Sequence, residues 1–348
     1  MRGWHCLALA SALSLIAANA SADDNPPPAA SSPTPATNAR DQALQAFQHD
    51  LVSVLALRAE AQPLLGAALL ARPLPNPGKT GSFHALINRA VAASDAGPAV
   101  QWARLADCDD KAGTCPNAAA LRKLTEEAPD NAAVWLLKLG VDTRDMKSKA
   151  VREDLAKAAA AKVYDDYTGS SLAALASVAD TLPPPPATQG AAGPVGAQAL
   201  IVLANARLQP QPALALVAQR CESAGDDAAL KADCRQLGKL LAWGSSPLSR
   251  SLGLHLGEVL GDNAEQAAAR QQRRDLTWQV QNYSQLALRV QDDPALAQLL
   301  LATARQGGPE MSQLTAVLRA RGVSLTAPGS WQPQSLEAAP APAPAHSP

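Results

Sequence analysis

Two tryptophans, Trp102 and Trp135, stand 33 positions apart in related surroundings, Pro98-Ala99-Val100-Gln101-Trp102 and Asn131-Ala132-Ala133-Val134-Trp135. A recurrence of about 33–34 residues is the length of one helix–turn–helix unit. A unit of that size cannot bury its apolar face alone. It stacks on its neighbours, and the stack builds a curved surface with a groove. The spacing limits the chain to a layered helical architecture and to binding along a groove. It names neither a ligand nor a reaction.

The rest of the chain reads as helix. From Asp41, Leu44, Phe47, Leu51 and Val54 fall at helical spacing. Pro63 opens a very apolar helix, which Pro73, Pro75 and Pro77 end. Ser82 suits the cap of the next helix, and Asp130 or Asn131 that of the helix bearing Trp135, Leu136 and Leu139. Starts near Pro63, Ala96, Pro129 and Val163 continue the repeat. Further on, Leu200, Ile201, Ala204 and Leu208 form one face, and Leu214, Val217 and Cys221 another. Asp226 or Asp227 caps the helix of Leu230, Cys234, Leu237 and Leu241. Later helices start at Ser246-Pro247, at Asp262 or Asn263, at Asp293-Pro294 and near Met311. Alternating β-branched and aromatic runs are absent. Aromatics are only 3% of the residues, so the core must be mostly Ala and Leu, which suits close helix packing. The expected fold is all-α, an α-solenoid-like stack of helical hairpins.

Pro129-Asp130-Asn131-Ala132-Ala133-Val134-Trp135 resembles the junction between consecutive tetratricopeptide repeats, where proline closes one unit and an Asn-Ala…Trp run starts the next. With the 33-residue step, residues 63–182 are similar to tetratricopeptide-like or Sel1-like helical repeats. The family's glycine comes one position late here, at Gly140, and Val151 and Val163 replace its later small residue and closing proline. The resemblance implies a concave face that binds a peptide or protein.

Residues 1–22 read as a secretory signal peptide: Arg2, an apolar run from Cys6 to Ala18, then Ala20-Ser21-Ala22 before the expected cut. The apolar run is too short for a membrane span, which needs about 20 residues. The chain is therefore expected to be periplasmic or secreted, with no integral membrane span. A Pro/Ala-rich spacer at 23–40 precedes a helical region at 41–182. A Pro/Gly linker or loop at 183–196 leads to a second helical region at 197–328, and 329–348 forms a Pro/Ala-rich, disordered tail. Four cysteines lie beyond the signal segment, an even number that reads as disulfides in an exported chain. Three connectivities exist. The local one, Cys108–Cys115 and Cys221–Cys234, is expected, with roughly 2.5–3 kcal/mol from each loop closed. Their C-x₆-C and C-x₁₂-C spacings do not suit zinc.

Net charge is −1, so no global field draws the chain to nucleic acid. His49, His84, His255 and His346 are scattered and make no metal-binding motif. No cofactor-binding, metal or catalytic set emerges. Asp107, Asp109 and Gly113 read as turn and cap residues rather than a calcium loop. Arg270, Arg273 and Arg274 fall at i, i+3 and i+4, an anion- or partner-binding patch for an acidic protein, lipid headgroups or cell-wall carboxylates, or else a solvated face. Glu222-Ser223 resembles the catalytic start of lytic transglycosylases, in which glutamate serves as acid and then base, although that family's supporting motifs are missing. The principal expectation is a non-enzymatic scaffold with a protein or peptide partner in the cell envelope; the alternative is a cell-wall glycan hydrolase using Glu222.

Overall fold

The computed structural model describes residues 35–75, 78–109, 111–206 and 208–333. The expected signal peptide at 1–22, most of the expected spacer and the expected tail beyond residue 333 lie outside the described residues. Fifteen α-helices and no named strand are found among those described. They are α1 (Pro35–Leu55), α2 (Ala61–Ala71), α3 (Phe83–Ala92), α4 (Pro98–Arg104), α5 (Ala118–Glu127), α6 (Ala132–Arg144), α7 (Ser148–Ala160) and α8 (Thr168–Val178). Then come α9 (Gly193–Ala206), α10 (Leu214–Glu222), α11 (Ala228–Leu241), α12 (Pro247–Leu260), α13 (Asn263–Leu288), α14 (Pro294–Gln306) and α15 (Glu310–Ala320). None is long and apolar enough to cross a membrane.

The caps explain most starts. Side-chain oxygens of Ser82, Asn131, Asp227, Asp262 and Asp293 each accept from a first-turn amide, satisfying groups the helix itself leaves orphaned. Pro98, Pro247 and Pro294 occupy first turns, where a missing N–H costs nothing. One face differs from expectation. On α9 the buried residues are Gly196, Ala197, Ala199, Ile201, Val202, Asn205 and Ala206, while Ala204 and, beyond the helix, Leu208 are exposed. A helix apolar on nearly every side gives its pattern no unique stripe.

Packing order departs from a simple stack. Contacts pass from α2 through α3, α4, α5 and α6 to α7, as in successive hairpins. From α7 they jump to α11, then run through α12, α13, α15 and α14 to α8, which packs against α2 and closes a circuit. A small residue makes that closure possible: a Cβ on Gly66 of α2 would lie 2.7 Å from the Ala174 carbonyl oxygen of α8. The break at 183–196 does not divide the core. One core cluster joins α1–α4 to α8, α9 and α14, and another joins α5–α7 to α10–α12. The loop itself is tied down, with the Arg40 guanidinium on the Thr188 carbonyl and the Ala192 amide on the Gln291 carbonyl. The outer boundaries shift too. Helix α1 begins at Pro35, inside the expected spacer, and Trp331 packs on Trp278, inside the expected tail.

Inside the circuit runs a non-helical connector between α7 and α8. Tyr164, Asp166 and Thr168 are buried while Val163 is exposed, the alternation of an extended segment. Buried backbone must find partners, and here they come from all around. Lys162 and Val163 amides donate to the Asp130 carbonyl, and the Ala132 amide donates to the Val163 carbonyl. Asn131 Oδ1 accepts from the amides of Ala133 and Asp165, and its Nδ2 donates to the Asp165 carbonyl at 2.7 Å. Across the circuit, the Asp166 amide donates to Ser245 Oγ, the Ser245 amide donates to the Tyr164 carbonyl, and the Met311 amide donates to the Ser245 carbonyl. Tyr167 caps α8 in the left-handed region, at φ +55°, an unusual conformation for an aromatic residue. Its ring packs 5.5 Å from that of Trp102, its amide donates to Asp165 Oδ1, and its hydroxyl takes a bond from Asn131.

Asn131 is thus both a helix cap and the clamp on the connector. Asn131→Ala should cost about 3 kcal/mol, combining an ordinary cap with stranded buried groups. Asp227→Ala, which removes a cap alone, should cost about 1 kcal/mol. Urea denaturation of both variants checks this, and equal losses would contradict the clamp.

Candidate functional site

A cleft of about 480 Å³ opens between the end of α3 and the outer face of α5, with α4 as its floor. Helix α4 has only seven residues, and Pro98 sets its start. Trp102 turns to the interior, where it is fully buried beside Tyr167. Gln101 and Arg104, at i and i+3, share the side toward the cleft. Val91 and Ala93 line one wall; Arg122, Lys123, Glu126 and Glu127 line the other.

Two polar groups on the floor stand without protein partners. Gln101 is 6% exposed and its Oε1 accepts from no donor, and Arg104 Nε is buried and makes no bond. An unpaired buried polar group costs about 1–3 kcal/mol; among the described residues other buried side-chain atoms also lack partners, Trp102 Nε1 and both polar atoms of Gln209 among them, and Gln101 and Arg104 are the ones that line this cleft. The wall is partly neutralised, since Lys123 lies 3.4 Å from Glu127 and 3.8 Å from Glu126. Arg104 and Arg122 enter none of the ion pairs found among the described residues. The cleft therefore has a carboxamide and two guanidinium groups along its lining, with Gln101 Oε1 and Arg104 Nε themselves lying beneath its surface. That set suits a peptide N–H together with a carboxylate.

The residues singled out in the sequence go elsewhere. Arg270, Arg273 and Arg274 do not form an open patch. Arg273 pairs with Glu258 at 3.0 Å, with geometry short of a hydrogen bond, and Arg274 is spent on the carbonyls of Pro328, Gly329 and Trp331. Only Arg270 stays exposed with no ion pair among those of the described residues. Glu222, at the end of α10, accepts from His255 Nε2 at 2.5 Å and so ties α10 to α12. Cys108 and Cys115 stand at bonding distance, as do Cys221 and Cys234. Asp109 Oδ1 accepts from the amides of Lys111 and Ala112, and Asp107 pairs with His84 Nδ1 at 2.9 Å. Trp135 belongs to the core, with its indole N–H on the Pro129 carbonyl.

Sequence reading missed Gln101 and Arg104, although a signal was present. When the two tryptophan stretches are aligned, Gln101 matches Val134 and Arg104 matches Leu137. Val134 and Leu137 are buried in the second core cluster. Gln101 and Arg104 thus stand where the Trp135 stretch has apolar core residues.

A second polar cluster lies between α6 and α7. Lys138 Nζ reaches Asp142 at 2.5 Å and both oxygens of Asp154 at 3.0 Å. Burial alone would lower the Lys138 ammonium, but its bonds to Asp142 and Asp154 outweigh that and hold it above the usual lysine range. Burial pushes the Asp154 carboxyl up, against the pull of Lys138. The cluster fastens a helical hairpin and lines no part of the cleft between α3 and α5.

The lysine is needed only while the carboxylates are charged. Lys138→Ala should cost about 3 kcal/mol at pH 7, where a buried carboxylate loses its counter-charge. The gap from wild type should narrow between pH 7 and pH 3, because Asp154 takes up its proton above the ordinary carboxylate range and no longer requires a cation. Denaturation at several pH values tests this; a loss constant with pH would contradict it. Comparison of the whole chain with protein-family models, with curated proteins and with solved structures finds no match.

Proposed function

We propose that this chain is an exported helical-repeat protein that binds an extended, carboxylate-bearing peptide segment in the cleft between α3 and α5. The observation that carries this reading is the pair of unpartnered buried groups on the cleft floor, Gln101 Oε1 and Arg104 Nε. On binding, the Gln101 side chain turns its carbonyl toward the cleft to accept a backbone N–H of the guest, and Arg104 with Arg122 receives its carboxylate. Support for a binding role also comes from the hairpin order of α2 to α7, which sets α3 and α5 apart around the short α4. In this reading residues 1–22 direct export, and both cysteine pairs are disulfides formed in the envelope or outside the cell. Each bond closes a loop beside an element of the second core cluster, so oxidation and the packing of that cluster reinforce each other.

Fluorescence anisotropy with labelled nonapeptide pools, one rich in Asp and Glu and one neutral, tests the proposal on the full chain. The acidic pool should bind and weaken with added salt. Arg104→Ala should weaken binding at least tenfold. Gln101→Val, which installs the residue found in the sister unit, should also abolish most binding while leaving the melting temperature unchanged or higher, because an unpaired buried acceptor is gone. Binding that ignores both substitutions, or no preference for the acidic pool, would overturn the proposal.

A further inference from the structure

Helices α11 and α13 flank α12, and between them a groove of about 230 Å³ opens over the α12 surface. The packing of α12 explains why it stays open. A Cβ on Gly253 would lie 2.2 Å from the Ala242 amide nitrogen, so α12 rests directly on the α11 backbone there. A Cβ on Gly257 would lie 3.2 Å from the Ala269 Cβ of α13. Both glycines line the groove, and its floor carries no side chain where they stand. Leu254, Leu256 and Ala269 in the lining are buried.

The two ends of the groove differ in charge. At one end, Lys239 pairs with Glu265 at 3.2 Å and so spans the mouth from α11 to α13. Glu265 also accepts from the Asp262 amide, so its carboxylate is already satisfied twice. Arg235, one turn before Lys239, donates from Nε to the Leu260 carbonyl at 2.8 Å and enters none of the ion pairs found among the described residues. Arg235, Lys239 and Glu265 together leave that end with an excess positive charge. Trp243 stands at the other end, about 12 Å away at the rise of a helix. It is 80% exposed, which leaves most of a large apolar indole in water.

A peptide is a poor guest for this floor. The helices beneath it satisfy their own main-chain groups. A guest main chain pressed onto it would lose water and find few donors or acceptors in return. An acyl chain carries no such groups and gains by leaving water. The excess cation at one end calls for an anionic head. We propose that the groove between α11 and α13 binds a single-chain anionic amphiphile, a medium-chain fatty carboxylate. Its carboxylate pairs with Arg235, its chain runs over Gly257 and then Gly253, and the Trp243 indole covers the far end. This site is separate from the cleft between α3 and α5, and neither depends on the other.

Isothermal titration calorimetry on the full chain tests the proposal, with sodium decanoate kept below its micelle concentration. Decanoate should bind saturably, one molecule to each chain. Acetate, which has the head without the chain, and decanol, which has the chain without the charge, should bind at least tenfold more weakly. Arg235→Gln should weaken decanoate binding at least fivefold. Ala268→Leu, which sets a larger side chain on the α13 wall of the groove, should weaken it as much. Both positions are exposed on helices, so the helical circular-dichroism signal should stay that of wild type. A second readout is the emission of Trp243, taken as the difference between wild type and Trp243→Phe, which should move to shorter wavelength as decanoate is added. An absence of saturable binding overturns the proposal. So does equal binding of decanol, or an affinity that both substitutions leave unchanged. If a variant does not fold, an unshifted emission of the wild-type chain under excess decanoate overturns it instead. Binding to phosphatidylglycerol vesicles without binding to free decanoate would assign this surface to a membrane and overturn it as well.

Discussion

The buried connector between α7 and α8 is the constraint on which the architecture turns. A helix satisfies its own backbone; an extended segment in the interior cannot, so its neighbours must supply donors and acceptors in fixed places. Asn131 supplies both a donor and an acceptor from one side chain, Asp130 and Ala132 add main-chain groups, and Ser245 relays the connection from the Tyr164 carbonyl to the first turn of α15. Burial holds the Tyr164 phenol well above its ordinary titration range, which keeps it neutral inside the circuit. Where the connector ends, the chain meets the α14–α15 turn so closely that a Cβ on Gly169 would overlap the Gly308 carbonyl. Elements remote in sequence thus share one set of backbone hydrogen bonds.

That arrangement bears on function through α4. The same short helix that sends Trp102 inward against the connector turns Gln101 and Arg104 outward to the cleft. A floor pinned on its inner side can hold unpaired polar groups on its outer side without collapsing around them. The structure keeps two such groups there, a cost that binding would repay by pairing them. Residues 324–331 show a different chemistry on the far arm of the circuit, where α13 grips a non-helical segment by its carbonyls.

The fold class was legible in the sequence because helical periodicity and caps are local. Pro98, Asn131, Asp227 and Asp293 announce helix starts within a few residues of where they occur. Helices begin at Ala61, Pro98 and Ala132, close to three of the starts expected from the 33-residue step. The return of α8 onto α2 was not legible, since it depends on Gly66 meeting Ala174 across more than a hundred residues, and no local pattern encodes that approach. Near Val163 the repeat suggests a helix start, but the helix begins only at Thr168, because the intervening residues serve the connector. The arginine triplet was legible as a face and illegible as a site: Arg274 meets its partners about fifty residues later in the chain. Gln101 and Arg104 were missed for a simpler reason. The two tryptophan stretches are alike at the tryptophan and differ at the positions of Gln101 and Arg104, where no periodic pattern singles them out.

Native-state hydrogen exchange at the connector tests the central claim most directly. The amides of Ala132, Asp165, Ser245 and Met311 each donate into the connector's bonding network or its Ser245 relay. If that network holds the circuit together, all four should exchange only through global unfolding, with one shared free energy equal to that from denaturant titration. Exchange of these four by small local openings, well below the protection of amides in the middle of α8, would show that the helices pack without the connector and would contradict the account.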